Sequence, residues 1–372
     1  MIFKIALAFA WLTGAQIHAQ NSWVTQLFYD KDNSSLEIRD LACPSARVCV
    51  GVGILAENNR EKLKGTALVT SDGGTHWSYV DLKEIPYSLF FLNDSMGWMV
   101  TTKGIWMTEE SGRSWIRLKP LKGIERVWFL DEKHGFAVGE LKTIYETKDG
   151  GKEWTKRELA NALPLEAKDT VYDSVAFSGS LQGVISGSWN PMQRSQQLAW
   201  MEDQPARRAK GMMAAVLVET QDGGATWTEQ QVKVDGKFTR LRPGPNLTAL
   251  GLLEYRAGAA APSEIFALDL KTRTTKAVFL RKDRVARDLA ILPNGELVVA
   301  AIELLGRSNE VPIPGKLKMM YSASVPTWLD EKSDYRAVAT RPILAVADSN
   351  NVWVATDTGM ILKRTPTPTP TP

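Results

Sequence analysis

One short phrase occurs four times in this chain and constrains its fold more than any other feature. The copies are Thr70-Ser-Asp72-Gly-Gly74-Thr-His-Trp77, Thr108-Glu-Glu-Ser-Gly112-Arg-Ser-Trp115, Thr147-Lys-Asp149-Gly-Gly151-Lys-Glu-Trp154 and Thr220-Gln-Asp222-Gly-Gly224-Ala-Thr-Trp227. Their tryptophans stand 38, 39 and 73 residues apart, a steady period broken by one large insertion. A period of roughly 40 residues is that of propeller blades. An Asp-Gly-Gly between two β-like runs supplies the positive φ angles of a tight hairpin. The Asp oxygen can accept backbone N–H bonds within the turn, and the Trp returns to apolar surface.

A second phrase recurs upstream of the first: Asp94-Ser-Met-Gly97-Trp-Met-Val, Asp131-Glu-Lys-His-Gly135-Phe-Ala-Val-Gly139 and Ser180-Leu-Gln-Gly183-Val-Ile-Ser-Gly187. The first phrase resembles the Asp-box, or BNR repeat, of sialidases, sortilin-type receptors and photosystem II assembly-factor propellers. The two phrases in tandem most resemble the assembly-factor group and its relatives outside photosynthesis. The likeness is good from Leu41 to Trp227 and fades afterwards. In the second copy Glu110 and Ser111 replace the Asp-Gly pair, which leaves its turn bonding open.

Three further blades without a box are read from Glu264 to Leu270, from Gly295 through Met319 to Trp328, and from Ile343 through Val352 to Lys363. The expected fold is all-β, a single seven-bladed propeller, with six or eight blades as the alternatives. The last blade runs out of chain after three strands, while Trp23 to Tyr29 forms a spare strand. That strand is expected to close the ring as the outer strand of the final blade, which removes an exposed edge. A 44% share of hydrophobic residues, with 13 Trp, suffices for one large core.

Residues 1–19 read as a secretory signal peptide, with Lys4 as the basic start, Ile5 to Leu12 as the apolar core and Ile17-His-Ala19 as the cleavage site. This apolar run is too short to span a bilayer. The propeller then covers 22–364, and 365–372 is a Thr-Pro tail expected to be an extended stub of roughly 25 Å. Export implies a periplasmic or extracellular protein; it is expected to be at most peripheral to a membrane and to be a monomer. The formal charge of +3, or +2 without Lys4, gives no general attraction to nucleic acid or anionic membrane. Cys43 and Cys49, the two cysteines, flank the first hairpin of blade one, where an exported chain would form a disulfide. The rival reading, a two-thiol metal site, lacks the further ligands that zinc takes.

Loops between the second and third strands of each blade should emerge on the face opposite the boxes. Blades two and three spend few residues there, whereas blade one spends Ile54 to Gly65, blade six Glu303 to Lys318 and blade four Ser188 to Met213. Binding in repeat proteins concentrates on such one-sided insertions. The candidate protein-binding face is therefore Arg60, Lys62 and Lys64 from blade one, Trp189, Arg194, Trp200, Arg207, Arg208 and Lys210 from blade four, and Arg307, Lys316 and Lys318 from blade six. Basic residues beside tryptophans suit an acidic and apolar protein surface.

Enzyme signatures are sparse. A sialidase needs an arginine cluster, a Tyr activated by a Glu, and a general acid around the channel. The Phe-Arg-Ile-Pro phrase of that family is absent, and adjacent Glu254 and Tyr255 on a strand would face opposite sides. Three arginines converging on the channel beside a Tyr-Glu pair would favour a carbohydrate-active protein; cations on the outer rim with a plain channel would favour protein binding. After loss of His18 only His76 and His134 remain, both inside turn phrases. Asp72, Asp149 and Asp222 offer one carboxylate per repeat where calcium takes six to eight oxygens. No cofactor or metal is expected. Trp77, Trp115, Trp154 and Trp227 read as packing residues, with Trp77→Ala or Trp227→Ala costing roughly 3–5 kcal/mol. The functional expectation is an exported, non-catalytic propeller that binds another protein, such as a membrane-protein precursor or envelope complex. The alternative is a sialidase-like or glycan-binding propeller.

Overall fold

The structure, a computed structural model, describes residues 21–57, 62–191, 214–232, 236–244, 248–255, 262–269, 271–304, 307–308 and 311–366. The signal-peptide reading and most of the Thr-Pro tail lie outside the described residues. So do Arg60, Arg194, Trp200, Arg207, Arg208 and Lys210.

Sheets succeed one another around a ring. Five are four-stranded and antiparallel, and a nine-stranded sheet joins the last two blades, which makes seven blades. The innermost strand of each blade is its first: Ser34–Ala42, Pro86–Phe91, Ile124–Phe129, Thr170–Ser178, Gly236–Pro243, Arg284–Ile291 and Ile343–Asp348. Second strands are covered on both faces by their own and neighbouring blades, so they read as apolar runs rather than alternations. Gly97–Thr101 and Gly135–Gly139 are buried along their whole length.

The spare N-terminal strand closes the ring. Ser22–Phe28 pairs antiparallel with Met360–Thr365 as the fourth strand of blade seven, and Ser22 and Trp23 also touch Lys332 and Ser333 of blade six in parallel. The strand Met360–Thr365 takes in Thr365, the first residue assigned to the tail from sequence. Buried Glu331 anchors this seam. It accepts the Trp23 indole N–H at 2.8 Å and the Arg364 guanidinium, with Nε at 3.0 Å and Nη2 at 2.5 Å.

The repeated phrase folds as a bonded turn. Thr70 Oγ1 donates to Asp72 Oδ1 at 2.8 Å and accepts from the Gly74 N–H at 3.1 Å, while Asp72 Oδ1 accepts from the His76 N–H at 2.9 Å. Thr147 with Asp149, and Thr220 with Asp222, repeat this pattern. In the second copy Thr108 Oγ1 still accepts from Gly112 N at 3.0 Å, but Glu110 binds the Ser114 hydroxyl at 2.6 Å instead of a backbone N–H. The turn survives because the threonine, not the acid, closes its inner ring.

Each turn also sits on the preceding blade. A Cβ on Gly74 would lie 3.2 Å from Trp353 Nε1, one on Gly112 would lie 2.9 Å from Val50, and one on Gly224 would lie 2.2 Å from Phe136. Trp98 of blade two donates its indole N–H to Gly150 O in the blade-three turn at 2.9 Å. The aromatic residue that opens the second phrase, Trp98 or Phe136, is thus a seat for the next blade's turn, which is why the two phrases recur in tandem. Trp227 is fully buried edge-on to Phe136 and Phe177; Trp77, Trp115 and Trp154 are half-buried. Cys43 and Cys49 form a disulfide in the first hairpin of blade one.

Candidate functional site: the mouth of the central channel

Every one of the first six inner strands carries a register shift at the same height. The shifts fall between Ile38 and Asp40, Pro86 and Ser88, Ile124 and Arg126, Tyr172 and Ser174, Phe238 and Arg240, and Ala286 and Asp288. A β-bulge places two residues of one strand opposite one of its partner and re-aims a side chain. Here the extra residues are Arg39, Tyr87, Glu125, Asp173, Thr239 and Arg287, and all six line a cavity of about 500 Å³ at one end of the channel. That end lies where the first strands begin, on the face of the second-to-third-strand hairpins and opposite the boxes.

Beneath this ring lies a layer of ion pairs. Arg126 bonds Asp40, and Arg242 Nη2 bonds Asp288 at 3.0 and 2.9 Å with Arg240 Nε 3.6 Å from the same carboxylate. Burial opposes charge on Arg126, but Asp40 beside it more than compensates and raises its pKa. Arg240 is lowered, first by burial and then by the crowding of Arg126 and Arg242.

In the ring itself, Arg287 pairs with Glu254 and Arg39 Nε with Glu37 at 3.2 Å. The Arg39 guanidinium also lies over the Tyr87 ring, 5.6 Å from its centroid. Lys237 and Arg341 are exposed at the rim and form no ion pair among the described residues. Burial pushes the Asp173 carboxyl up to about 7, against the pull of Lys237, Arg126 and Arg240. Burial likewise raises Glu125, helped by Glu140. Asp173 Oδ1 and Arg287 Nε are buried without a hydrogen-bond partner among the described residues. With Asp173 protonated, the mouth is a net cationic basin with unmet polar groups, suited to anionic or polar groups.

A groove of about 1000 Å³ runs into this mouth from the rim. Its walls include Leu36, Ile54, Ala56, Leu63 and Pro314, and it shares Arg39, Arg287 and Arg341 with the channel mouth.

Six of the residues expected from sequence to form a basic loop face are described, and they sit on strands. Lys62 and Lys64 belong to the strand Lys62–Thr70, because the ladder of blade one continues to the pair Glu57 and Lys62 where a loop was expected. Lys316 and Lys318 belong to Gly315–Ser322. Lys64 is bound to Glu57 at 2.9 Å and Lys318 to Glu303 at 2.8 Å. Arg307 lies in a two-residue strand paired with Val311–Pro312. Trp189 ends the strand Gln182–Trp189 and packs half-buried against the blade-four core instead of standing on the loop. Of the two outcomes set out from sequence, the channel is not the plain one: its arginines converge, because bulges turn strand residues inward, but no Tyr-Glu hydrogen bond stands beside them among the described residues. The hydrogen-bonded pair Tyr255 and Glu264, at 2.5 Å, is not part of the mouth lining.

A family model described as photosynthesis system II assembly factor YCF48 matches residues 116–197. Photosystem II assembly protein Ycf48 of Synechococcus sp. (strain JA-3-3Ab) is 26% identical over 182 residues, which is 44% of this chain and 51% of that protein. The same protein from Thermosynechococcus vestitus (strain NIES-2133 / IAM M-273 / BP-1) is 30% identical over 108 residues, covering 28% of this chain and 29% of that protein. The chain is a β-propeller similar to the photosystem II assembly factors. It spans about half the length of the first curated assembly proteins it matches. Among solved structures, YCF48 from Cyanidioschyzon merolae superposes with a TM-score of 0.59 at 14% identity over 92% of this chain and 99% of that one. YCF48 bound to a D1 peptide gives 0.57 at 16%, over 91% and 98%. An ancestral GH74 enzyme gives 0.56 at 12%, over 91% and 46%, so these superpositions speak to fold alone.

The assembly-factor match at 116–197 takes in Glu125, Arg126 and Asp173 but not Arg39, Lys237, Arg240, Arg287 or Arg341. Sequence reasoning missed this ring. A signal for it exists: Arg39-Asp40-Leu41-Ala42 and Arg287-Asp288-Leu289-Ala290 are identical, and Glu125-Arg126-Val127 and Thr239-Arg240-Leu241 share the form. Two polar residues in succession inside an apolar alternation mark a bulge.

Proposed function

We propose that this chain is a non-catalytic propeller that docks an extended segment of another protein in the groove and channel mouth, acting as an assembly or folding scaffold after export. The observation that carries this reading is the bulged ring with the layer beneath it, which brings Arg39 and Arg287, and below them Arg126 and Arg240, to one mouth, while Lys237 and Arg341 at its rim form no ion pair among the described residues and Arg341 also lines the groove. Extended peptides bind where apolar side chains find a groove and acidic groups find fixed guanidinium donors. The structure of a YCF48 bound to a D1 peptide supports a polypeptide as the ligand class. The glycosidase alternative draws on the same arginines. For a sialidase, however, Tyr87 at the mouth lies against Arg39 and hydrogen-bonds no carboxylate among the described residues, so the activated tyrosine of that mechanism is not formed there.

The test is capture of partners from the native envelope by the mature chain, by Lys237→Glu/Arg341→Glu, and by Arg113→Glu in the second box turn. A protein recovered by the first and third baits and lost from the second is the expected result. Equal recovery by all three would remove the mouth from the account.

A further inference from the structure

The opposite end of the channel has a different character. There a cavity of about 370 Å³ opens on the box face, walled by Leu89, Phe90, Trp128, Pro243, Ile291 and Val346. These side chains are only half-buried, so the ring leaves a solvent-facing concavity with apolar walls and a polar floor. Concave apolar surface with a few convergent polar groups is the usual form of a small-ligand site, and this volume is at the small end of such sites.

The floor of the cavity is the ion-pair layer seen from below, and it presents donors. The Asp40 carboxylate accepts from Leu41 N at 3.0 Å, from Leu89 N at 2.9 Å and from Arg126. Asp288 accepts from Leu289 N at 2.8 Å, from Leu344 N at 2.9 Å and from Arg242. Both acids are thereby saturated and buried, with side-chain exposures of 9% and 0%. The arginines are not saturated: their side chains are 24% and 33% exposed, and Arg126 Nε and Nη2 and Arg242 Nη1 have no partner among the described residues. Arg240, which lines the opposite mouth, adds a third cation to this layer against the two acids. An apolar funnel ending in unpaired guanidinium N–H groups with one excess positive charge is complementary to one chemistry, a single carboxylate on an apolar stem.

We infer that the box-face end of the channel is a binding site for an apolar monocarboxylate, opening on the face opposite the mouth and sharing only Arg126 with its lining. Stem and head are both required: the stem displaces water from Phe90, Trp128 and Ile291, and the carboxylate takes the spare N–H groups of Arg126 and Arg242.

Titration calorimetry of the mature propeller with decanoate and with decanol tests this. The expected result is saturable one-to-one binding of decanoate, with decanol at least tenfold weaker. Ile291→Asp, which carries a like charge into the wall, should weaken decanoate at least tenfold, and Lys237→Glu at the other mouth should leave it unchanged. Val346→Glu serves as a second wall variant, with unfolding curves confirming that each variant is folded. A peptide with a free C-terminal leucine that competes with decanoate would give the site to a polypeptide terminus; failure to compete would give it to a free carboxylate. Absence of saturable decanoate binding, equal binding of decanol, or equal loss in Lys237→Glu would overturn the inference.

Discussion

Gly224 and Gly295 both adopt left-handed backbone, at φ +88° and +87°, yet they answer to different constraints. A Cβ on Gly224 would meet the Phe136 ring at 2.2 Å, whereas one on Gly295 meets nothing within 4 Å. Gly295→Ala should therefore cost only the backbone term, about 1 kcal/mol, and Gly224→Ala roughly 3 kcal/mol or more because the blade interface must also open. Chemical denaturation of the two variants separates the terms; equal losses would mean that the turn is not seated on blade three. Trp227→Ala should cost about 3–5 kcal/mol, while Trp77→Ala, at a half-buried site, should cost less than the sequence reading allowed. At Asp173 the sign runs the other way from most acids. Its pKa is raised from 3.8 to about 7, so the folded state holds a proton that the unfolded chain has lost, and stability falls as pH rises between about 4 and 7. Asp173→Asn should flatten that dependence and stabilise the protein at pH 8 by about 1–3 kcal/mol, read from unfolding midpoints across pH. No change in the pH profile would remove Asp173 from the buried ring.

Among the elements, the seam between blades six and seven concentrates its bonding on one side chain. Glu331→Ala leaves the Arg364 guanidinium, 7% exposed, without its carboxylate and Trp23 without its acceptor. Breaking one partner of a buried pair typically costs about 3–5 kcal/mol, so this variant should unfold well below the wild type, and early proteolysis at the N-terminal strand should accompany it. Survival of the wild-type midpoint would show that strand pairing alone closes the ring. The closing strand itself was legible in the sequence, because a final blade one strand short and a spare strand at Trp23 have a single economical solution. Blade hairpins were legible for the same kind of reason: Asp-Gly-Gly has few backbone alternatives. Hairpin length was not. The ladder of blade one extends to Glu57 and Lys62, and nothing in Leu55 to Lys64 distinguishes a long β-arm from a loop until the pairing is seen. The channel ring was missed because a bulge is a relation between two strands, and a single strand shows only the polar doublet that it produces.

At the scale of the whole molecule, two channel ends of unlike chemistry follow from one strand geometry. The bulge turns Arg39, Glu125, Asp173 and Arg287 toward one mouth, and the apolar residues after it, such as Leu89, Trp128 and Ile291, reach the other. The charged mouth lies on the face with the groove, so docking of an acidic segment should weaken with salt. It should also weaken as pH rises from 6 to 8, because Asp173 then gains the negative charge that offsets Lys237 and Arg240. Site-specific photocrosslinking tests the central claim most directly, with the reactive residue placed in turn at Tyr87 on the mouth, 41% exposed, and at Arg113 in the box turn. Crosslinks to one polypeptide from Tyr87 and none from Arg113 are the predicted result; crosslinks from Arg113 alone would contradict it and move the docking face to the other side of the ring.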